Sequence, residues 1–239
     1  MKINKFINTT NLCIIPARGG SKRIPRKNIK EFLGKPIISY SIEAAIQSNL
    51  FEEIMVSTDD AEIAEIAKHY GATVPFMRSA QSSTDYAPLA AVVDEAVIWL
   101  DQTKNTCTQL CLILPTAPFI LQRNIADAYN LMIEKNFDSV RPVVQFSYPI
   151  QRAFRLRGQA VEMMMPEHLK TRTQDLEPAY HDAGQFYWMT REKTLHGTNR
   201  GALIINDILA QDIDSENDWL IAEMKYRFLL EKGIITQKT

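Results

Sequence analysis

From Ile14 to Ile29 the chain reads IIPARGGSKRIPRKNI: a buried-looking strand, then Arg18, Lys22, Arg23, Arg26 and Lys27 around the pair Gly19-Gly20. Lys30 and Lys35 prolong the run of cations, which Glu31 alone interrupts with an acid. Adjacent glycines let a backbone turn sharply and approach an anion closely, and the amides that follow, with Ser21, can donate to phosphate oxygens. The cations supply the countercharge that a triphosphate demands. A solvated basic loop would need neither the glycine pair nor a buried strand directly before it. Two other phosphate motifs are excluded, because GxxxxGK[ST] would need glycine where Ile24 stands and the spaced glycines of GxGxxG are absent.

A second group with chemical potential lies near the other end, in DIDSENDW from Asp212 to Trp219. Asp212 and Asp214 alternate across one residue, so on an extended segment both carboxylates face one side. Two hard oxygen ligands suit Mg2+, which keeps several waters and takes the rest of its shell from phosphates. A DxD before a helix serves equally well as cap chemistry. Asp59, at a strand end, can serve as a plain helix cap, and Asn28 as a turn or helix cap. Lys27 reads as an exposed cation that adds little to packing. Cys107 and Cys111 have CxxxC spacing, but no second Cys or His pair stands near them, so zinc is not expected.

The elements that must hold these residues alternate short apolar runs with amphipathic helical stretches, the pattern of a parallel sheet covered by helices. Leu12–Ala17 reads as a strand, Pro36–Ser48 as a helix with proline in its first turn, and Glu53–Thr58 as a second strand. Asp59 or Asp60 can cap the next helix, whose stripe of Ile63, Ile66, Ala67 and Tyr70 ends at Gly71. Ala90–Leu100 follows as a helix, Gln109–Leu114 as a strand, Ile125–Glu134 as a helix and Asp138–Val144 as a strand. After Gln145 the rhythm changes to a hairpin around Arg157-Gly158 and then a polar stretch to about Ala183, read as binding loops or a small subdomain. A closing helix carries Leu220, Ile221, Met224 and Phe228 on one face and stops at Gly233. In an open α/β sheet ligands bind beyond the carboxyl ends of the strands, which is where the glycine pair falls.

With 239 residues, of which 46% are hydrophobic, the chain can bury a sizeable core. A net charge of −1 argues against a surface devoted to nucleic acid or anionic membrane. No apolar run reaches the length of a membrane span and the first residues lack a signal-peptide pattern, so a cytoplasmic protein is expected. Three cysteines, an odd number, fit that expectation.

The sixteen-residue stretch from Ile14 to Ile29 resembles the signature of the CMP-sugar synthetases, which activate sialic acids and related nine-carbon acids with CTP. STDD (57–60), VPFMR (74–78), PTAPF (115–119) and DIDSENDW (212–219) carry the resemblance across nearly the whole chain in family order. YPIQRAF (148–154) and TRTQDLEPAYHDAGQFYW (171–188) look like the pseudaminic acid cytidylyltransferases in particular. Enzymes for N-acetylneuraminic acid would be expected to show an Asn-Gly pair and an aliphatic strand where Ala183-Gly184-Gln185-Phe186-Tyr187-Trp188 stands.

The resemblance implies a Rossmann-like α/β nucleotide-diphospho-sugar transferase fold, a mostly parallel sheet with helices on both faces. Residues 1–144 and 190–239 would form the CTP-binding domain, and 145–189 an inserted dimerisation and sugar-binding subdomain that helps close the partner's site in a homodimer. It implies Mg2+-dependent transfer of a cytidylyl group from CTP to the sugar acid. Arg18, Ser21, Lys22 and Lys27 would hold the phosphates, with Lys27 the main aid to the transition state and Asn28 beside them. Asp212 and Asp214 would hold the metal, leaving Asp218 as an ordinary acid in the first turn of the last helix. Arg78 would approach the cytosine, with Asp59 near ribose or base. Arg152 or Arg172 would grip the substrate carboxylate, and Tyr180, His181 and Gln185 would contact acyl groups and hydroxyls, although Tyr180 suits a core or interface equally.

Two departures stand out. Leu114 occupies a place where sialic acid enzymes usually carry Gln, and Ala87 and Leu89 replace the usual Thr or Ser, leaving Ser82, Ser83, Thr84 and Asp85 as substitutes. N-acetylneuraminic or legionaminic acid as substrate, and a non-catalytic nucleotide sensor on the same fold, are the competing readings.

Overall fold

The structure, a computed structural model, describes residues 10–84 and 86–236. Strand β1 (Asn11–Pro16) is buried along its whole length, with Cys13 and Ile15 packing on one face of the sheet and Leu12 and Ile14 on the other. A strand covered on both faces needs apolar residues at every position rather than alternate ones. After the cationic loop, a small antiparallel pair, β2 (Glu31–Phe32) and β3 (Lys35–Pro36), leads into helix α1 (Ile37–Ser48), with Pro36 as its N-cap residue. β4 (Glu53–Ser57) pairs in parallel with β1, and Asp60 caps α2 (Ala61–His69) by accepting from the Glu62 and Ile63 amides. Gly71, with φ +93°, takes the chain out of that helix.

The second half of the sheet is mixed. β5 (Gln109–Ile113) follows α3 (Leu89–Gln102) and pairs in parallel with β1, while β6 (Ser139–Gln145) follows α4 (Gln122–Lys135). An antiparallel hairpin, β7 (Phe154–Arg157) and β8 (Ala160–Met163), turns through Gly158 at φ +62° and pairs with neither edge of the main sheet. The chain then returns as β9 (Tyr180–Asp182), antiparallel to β6, and β10 (Phe186–Thr190), which runs antiparallel between β5 and β6. β11 (Arg200–Ile204) closes the far edge in parallel with β6, and α5 (Glu216–Glu231) ends the described fold. The strand order is β11-β6-β10-β5-β1-β4.

Two expectations need correction. Residues 180–182 and 186–190 belong to the main sheet, so the part of the chain lying off it runs from 146 to 179 rather than from 145 to 189. Trp188 sits at the sheet's centre, fully buried, its indole N–H donating to the Ile125 carbonyl at 2.9 Å. On α5 the buried side chains are Trp219, Ala222, Tyr226 and Leu229, whereas Leu220, Ile221, Met224 and Phe228 face outward. Trp219 and Tyr226 pack edge-on against Phe32, which locks α5 over the segment that follows the cationic loop.

Helices cover both faces as expected. α1, α2 and α4 pack on one face, α3 on the other, and α5 builds a third apolar cluster with Phe32, Ile37, Tyr40 and Phe119. Among the described residues no helix is long and apolar enough to cross a membrane.

Candidate active site

The cationic loop leaves the end of β1 and is tied to the end of β4. Gly19 donates its amide to Asp59 Oδ1 at 2.8 Å, and a Cβ on Gly19 would lie 2.6 Å from Asp60 Oδ2, closer than any side chain tolerates. Gly20 faces open space, with nothing within 4 Å of where its Cβ would stand. The two glycines therefore differ in kind: the first is required by the fold, the second leaves room beside the loop. Asp60 also receives both terminal nitrogens of Arg26, one of them at 3.0 Å, and Arg26 adopts a left-handed φ of +55°. The Arg26 guanidinium holds the Asp60 carboxyl below the usual carboxylate range. Asp60, not Asp59, is thus the helix cap, and Asp59 holds the loop.

Asn28 is buried and donates to the Arg18 carbonyl at 2.9 Å, bracing the loop from within. That favours the turn role among those weighed for it. Arg18 and Ser21 are half-buried along the loop, and Lys22 and Arg23 are exposed.

The DIDS segment arrives against this loop from the far end of the chain. Lys27 donates to the Ile213 carbonyl at 2.7 Å and stands 3.6 Å from Asp214, while Arg23 reaches Asp214 at 2.7 Å. Lys27 is not the exposed cation anticipated, since its side chain is only 21% exposed. Hydrogen bonding and charge from Asp214 raise the Arg23 guanidinium still further above its ordinary value. Asp218 forms a capping box with Ser215, and the Ser215 hydroxyl is the main cause that keeps its carboxyl low. Lys225 on α5, pulled down from its ordinary value by burial, donates to the Ala210 carbonyl at 2.7 Å and steadies the segment just before Asp212.

Asp212 and Asp214 suit Mg2+. They are hard oxygen donors on one short segment, Asp214 stands beside the cations Arg23 and Lys27, and among the described residues no third His, Cys, Asp or Glu completes a metal cage. The remaining shell would fall to phosphate and water, as Mg2+ prefers.

Arg78 is buried rather than exposed. It donates through Nε to Ser57 Oγ at 3.0 Å and through its terminal nitrogen to the Ser57 carbonyl, and burial lowers its guanidinium from the ordinary value. Its backbone extends the edge of β4 through a bridge between Thr58 and Met77. Of the proposed substitutes after it, Ser82 turns inward to Glu95 at 2.5 Å and Ser83 bonds to the Ser79 carbonyl at 2.8 Å. Thr84 is exposed, and Asp85 lies outside the described residues. Glu95 also receives the Ser79 amide at 2.9 Å and so anchors this loop to α3.

Beyond the ends of β5 and β9, a cleft of about 500 Å3 is lined by Leu114, His181, Asp182, Tyr187, Asp212 and their neighbours. Of the residues expected to contact the sugar acid, His181 lines it; Gln185 is buried behind, donating to the Leu209 carbonyl at 2.6 Å. Tyr180 is exposed on β9. Arg172 is paired within its own turn to Asp175, at 2.7 Å, and Arg152 reaches the Thr171 carbonyl at 2.5 Å. Both arginines lie in the off-sheet segment and neither lines this cleft. A smaller cavity of about 250 Å3, between α1, the start of α4 and the end of α5, lies away from these residues.

The sequence reading did not single out Arg23, which answers Asp214, or Arg141 and Tyr187, which flank Asp182. Arg23 was visible within the cation run and Tyr187 within the 171–188 stretch, whereas Arg141 lies in an apolar strand sequence with nothing around it to mark it.

The Cytidylyltransferase family profile matches residues 12–195. A pseudaminic acid cytidylyltransferase of Campylobacter jejuni subsp. jejuni serotype O:2 is 44% identical over 223 residues, covering 91% of this chain and 96% of that protein. A CMP-N,N'-diacetyllegionaminic acid synthase of Legionella pneumophila is 33% identical over 220 residues, covering 89% of this chain and 94% of that protein. Among solved structures, a CMP:2-keto-3-deoxy-manno-octonic acid synthetase complexed with CTP superposes with a TM-score of 0.67 at 16% identity, covering 93% of this chain and 100% of that one.

Proposed function

This chain belongs to the cytidylyltransferase family, and from that premise we propose that it transfers a cytidylyl group from CTP to pseudaminic acid, releasing pyrophosphate. The observation that carries the chemistry is the meeting of the two charged segments. Lys27 and Arg23 stand against Ile213 and Asp214 across nearly the whole sequence, at the end of the sheet where ligands of open α/β folds bind. The choice of sugar acid rests on the Campylobacter relative, whose identity exceeds that of the legionaminic acid enzyme.

In this reading the anomeric hydroxyl attacks the α-phosphorus in line. The new P–O bond forms as the hydroxyl gives up its proton to solvent water and the bond to the bridging oxygen breaks, and the pyrophosphate carries that last electron pair away. Arg18, Ser21, Lys22 and Lys27 bind the phosphates and answer the charge that grows on them. Asp212 and Asp214 would hold Mg2+, whose contribution there is to neutralise negative charge on the phosphates. Arg78 and Asp59 fix the walls of the nucleoside side, acting through Ser57 and Gly19 rather than from open surface.

The active species is a homodimer. Phe154, Leu156 and Val161 put an apolar face on the β7–β8 hairpin and are 60%, 69% and 63% exposed, which a second copy would cover. Arg152 and Arg172 then serve the partner's site and meet the substrate carboxylate there. The cytoplasm, where three buried free thiols stay reduced, is the compartment this reading implies.

Pyrophosphate release with CTP, Mg2+ and a panel of pseudaminic, legionaminic and N-acetylneuraminic acids tests it. The expected result is a preference for pseudaminic acid over N-acetylneuraminic acid of at least about 100-fold in kcat/KM, equivalent to about 2.7 kcal/mol. Faster use of another acid would move the substrate assignment, and CTP binding with no release from any acid would leave a nucleotide sensor.

A further inference from the structure

The residues lining the large cleft include two carboxylates, Asp182 and Asp212, and no lysine or arginine. A substrate carboxylate would be repelled there, so this wall is suited to a neutral part of the sugar acid. Its polar centre is assembled from three strands. Arg141 on β6 donates to Asp182 Oδ2 on β9 at 3.2 Å, and its guanidinium carbon lies 4.9 Å from the ring centre of Tyr187 on β10. Asp182 Oδ1 accepts the Gly184 amide at 2.8 Å, and the Tyr187 ring backs the Arg141 guanidinium. These partners fix the carboxylate in position, yet a carboxylate offers about four acceptor positions, so acceptor capacity remains for a ligand. The Asp182 side chain keeps 33% of its surface open.

Apolar residues complete the wall, with Leu114, Ala183 and Ala210 lining the same cleft. A fixed acceptor beside an apolar patch is the complement of an acylamino group, which has one N–H to donate and a methyl to bury. A hydroxyl would satisfy the carboxylate but leave Leu114 facing water. We propose that Asp182, held by Arg141 and the Gly184 amide, is a specificity-determining residue that reads an acylamino substituent of the sugar acid: the substituent's N–H donates to Asp182 and its methyl packs on Leu114. This rests on the cytidylyltransferase reading above.

The test compares kcat/KM for the diacylamino sugar acid with kcat/KM for an analogue carrying hydroxyl in place of one acylamino group, in the wild type, Asp182→Asn and Arg141→Gln, with the KM for CTP measured alongside. Replacing a charged acceptor by a neutral one should lower discrimination between the two acids about tenfold in Asp182→Asn. Arg141→Gln, which removes the ion pair that fixes Asp182, should lower it about threefold. The CTP KM should stay within about twofold in both, since neither residue touches the cationic loop. Unchanged discrimination in Asp182→Asn overturns the proposal, as does an equal loss toward both acids together with a raised CTP KM, which marks a structural role. Should Asp182→Asn not fold, Arg141→Gln decides by the same criterion. A wild type that releases no pyrophosphate from either acid refutes the functional reading and this inference with it; normal release with unchanged discrimination refutes this inference alone.

Discussion

Lys27, assigned to the phosphates in the proposed reaction, also holds the Ile213 carbonyl, so removing it should have two separable effects. Lys27→Ala should lower kcat at least about 100-fold through lost charge stabilisation. Loss of the partly buried hydrogen bond should cost about 1 kcal/mol of stability. Steady-state kinetics and a thermal melt measure both, and near-normal turnover of the folded variant would remove Lys27 from the mechanism. Asp214 poses the complementary case, because Arg23 and Lys27 already answer its charge. Asp214→Asn keeps the volume and removes the charge, so the Mg2+ concentration for half-maximal activity should rise at least about tenfold with little change in melting temperature. An unchanged Mg2+ titration would make Asp214 purely a counter-ion for Arg23. Both residues were legible in the sequence from charge and spacing. Their mutual contact was not, because nothing in a local pattern brings residue 27 to residue 213.

At the scale of elements, the glycine pair separates what the fold needs from what a ligand needs. Gly19→Ala drives a Cβ into Asp60, which caps α2 and pairs with Arg26, so the variant should lose about 1–3 kcal/mol of stability as well as CTP affinity. Gly20→Ala meets no atom within 4 Å and should melt like the wild type, while its KM for CTP rises several-fold if the phosphates come close to that backbone. A Gly20→Ala enzyme with wild-type CTP KM would show that the ligand stays clear of that backbone. Element existence was readable along most of the chain, with boundaries off by up to three residues. The closing helix shows where periodicity runs out. Two apolar stripes coexist on it, and Leu220, Ile221, Met224 and Phe228 satisfy helical spacing as well as Trp219, Ala222, Tyr226 and Leu229 do. Only the partner surface, the Phe32 cluster, chooses between them. β10 fails to announce itself in another way: FYWMT reads as a buried strand, but only tertiary pairing places it antiparallel between β5 and β6.

At the scale of the whole molecule, the single chain leaves its site without a carboxylate partner and its hairpin without a cover. Arg152 and Arg172 are on the off-sheet segment, away from the cleft, while the β7–β8 hairpin holds its apolar face to solvent. An isolated two-stranded hairpin is marginally stable at best, and the homodimer proposed above, in which each copy's off-sheet segment would serve the other, answers both facts. Leu156→Asp should therefore yield a folded monomer by light scattering, with turnover reduced at least about tenfold. Dimer formation alone would not place the arginines across the interface, and a mixing experiment does. Lys27→Ala lacks the loop cation and Arg152→Ala lacks the carboxylate partner, so each homodimer is impaired at both sites. If Arg152 acts across the interface, a heterodimer of the two contains one site with both residues intact. Random exchange at equal concentrations should then restore about a quarter of wild-type activity, since half the dimers are mixed and each has one complete site of two. If Arg152 serves its own chain, each site of a mixed dimer lacks one of the two residues, as in the parents. Mixing then gives the average of the two parents, and recovery at that level would return Arg152 to its own chain's site.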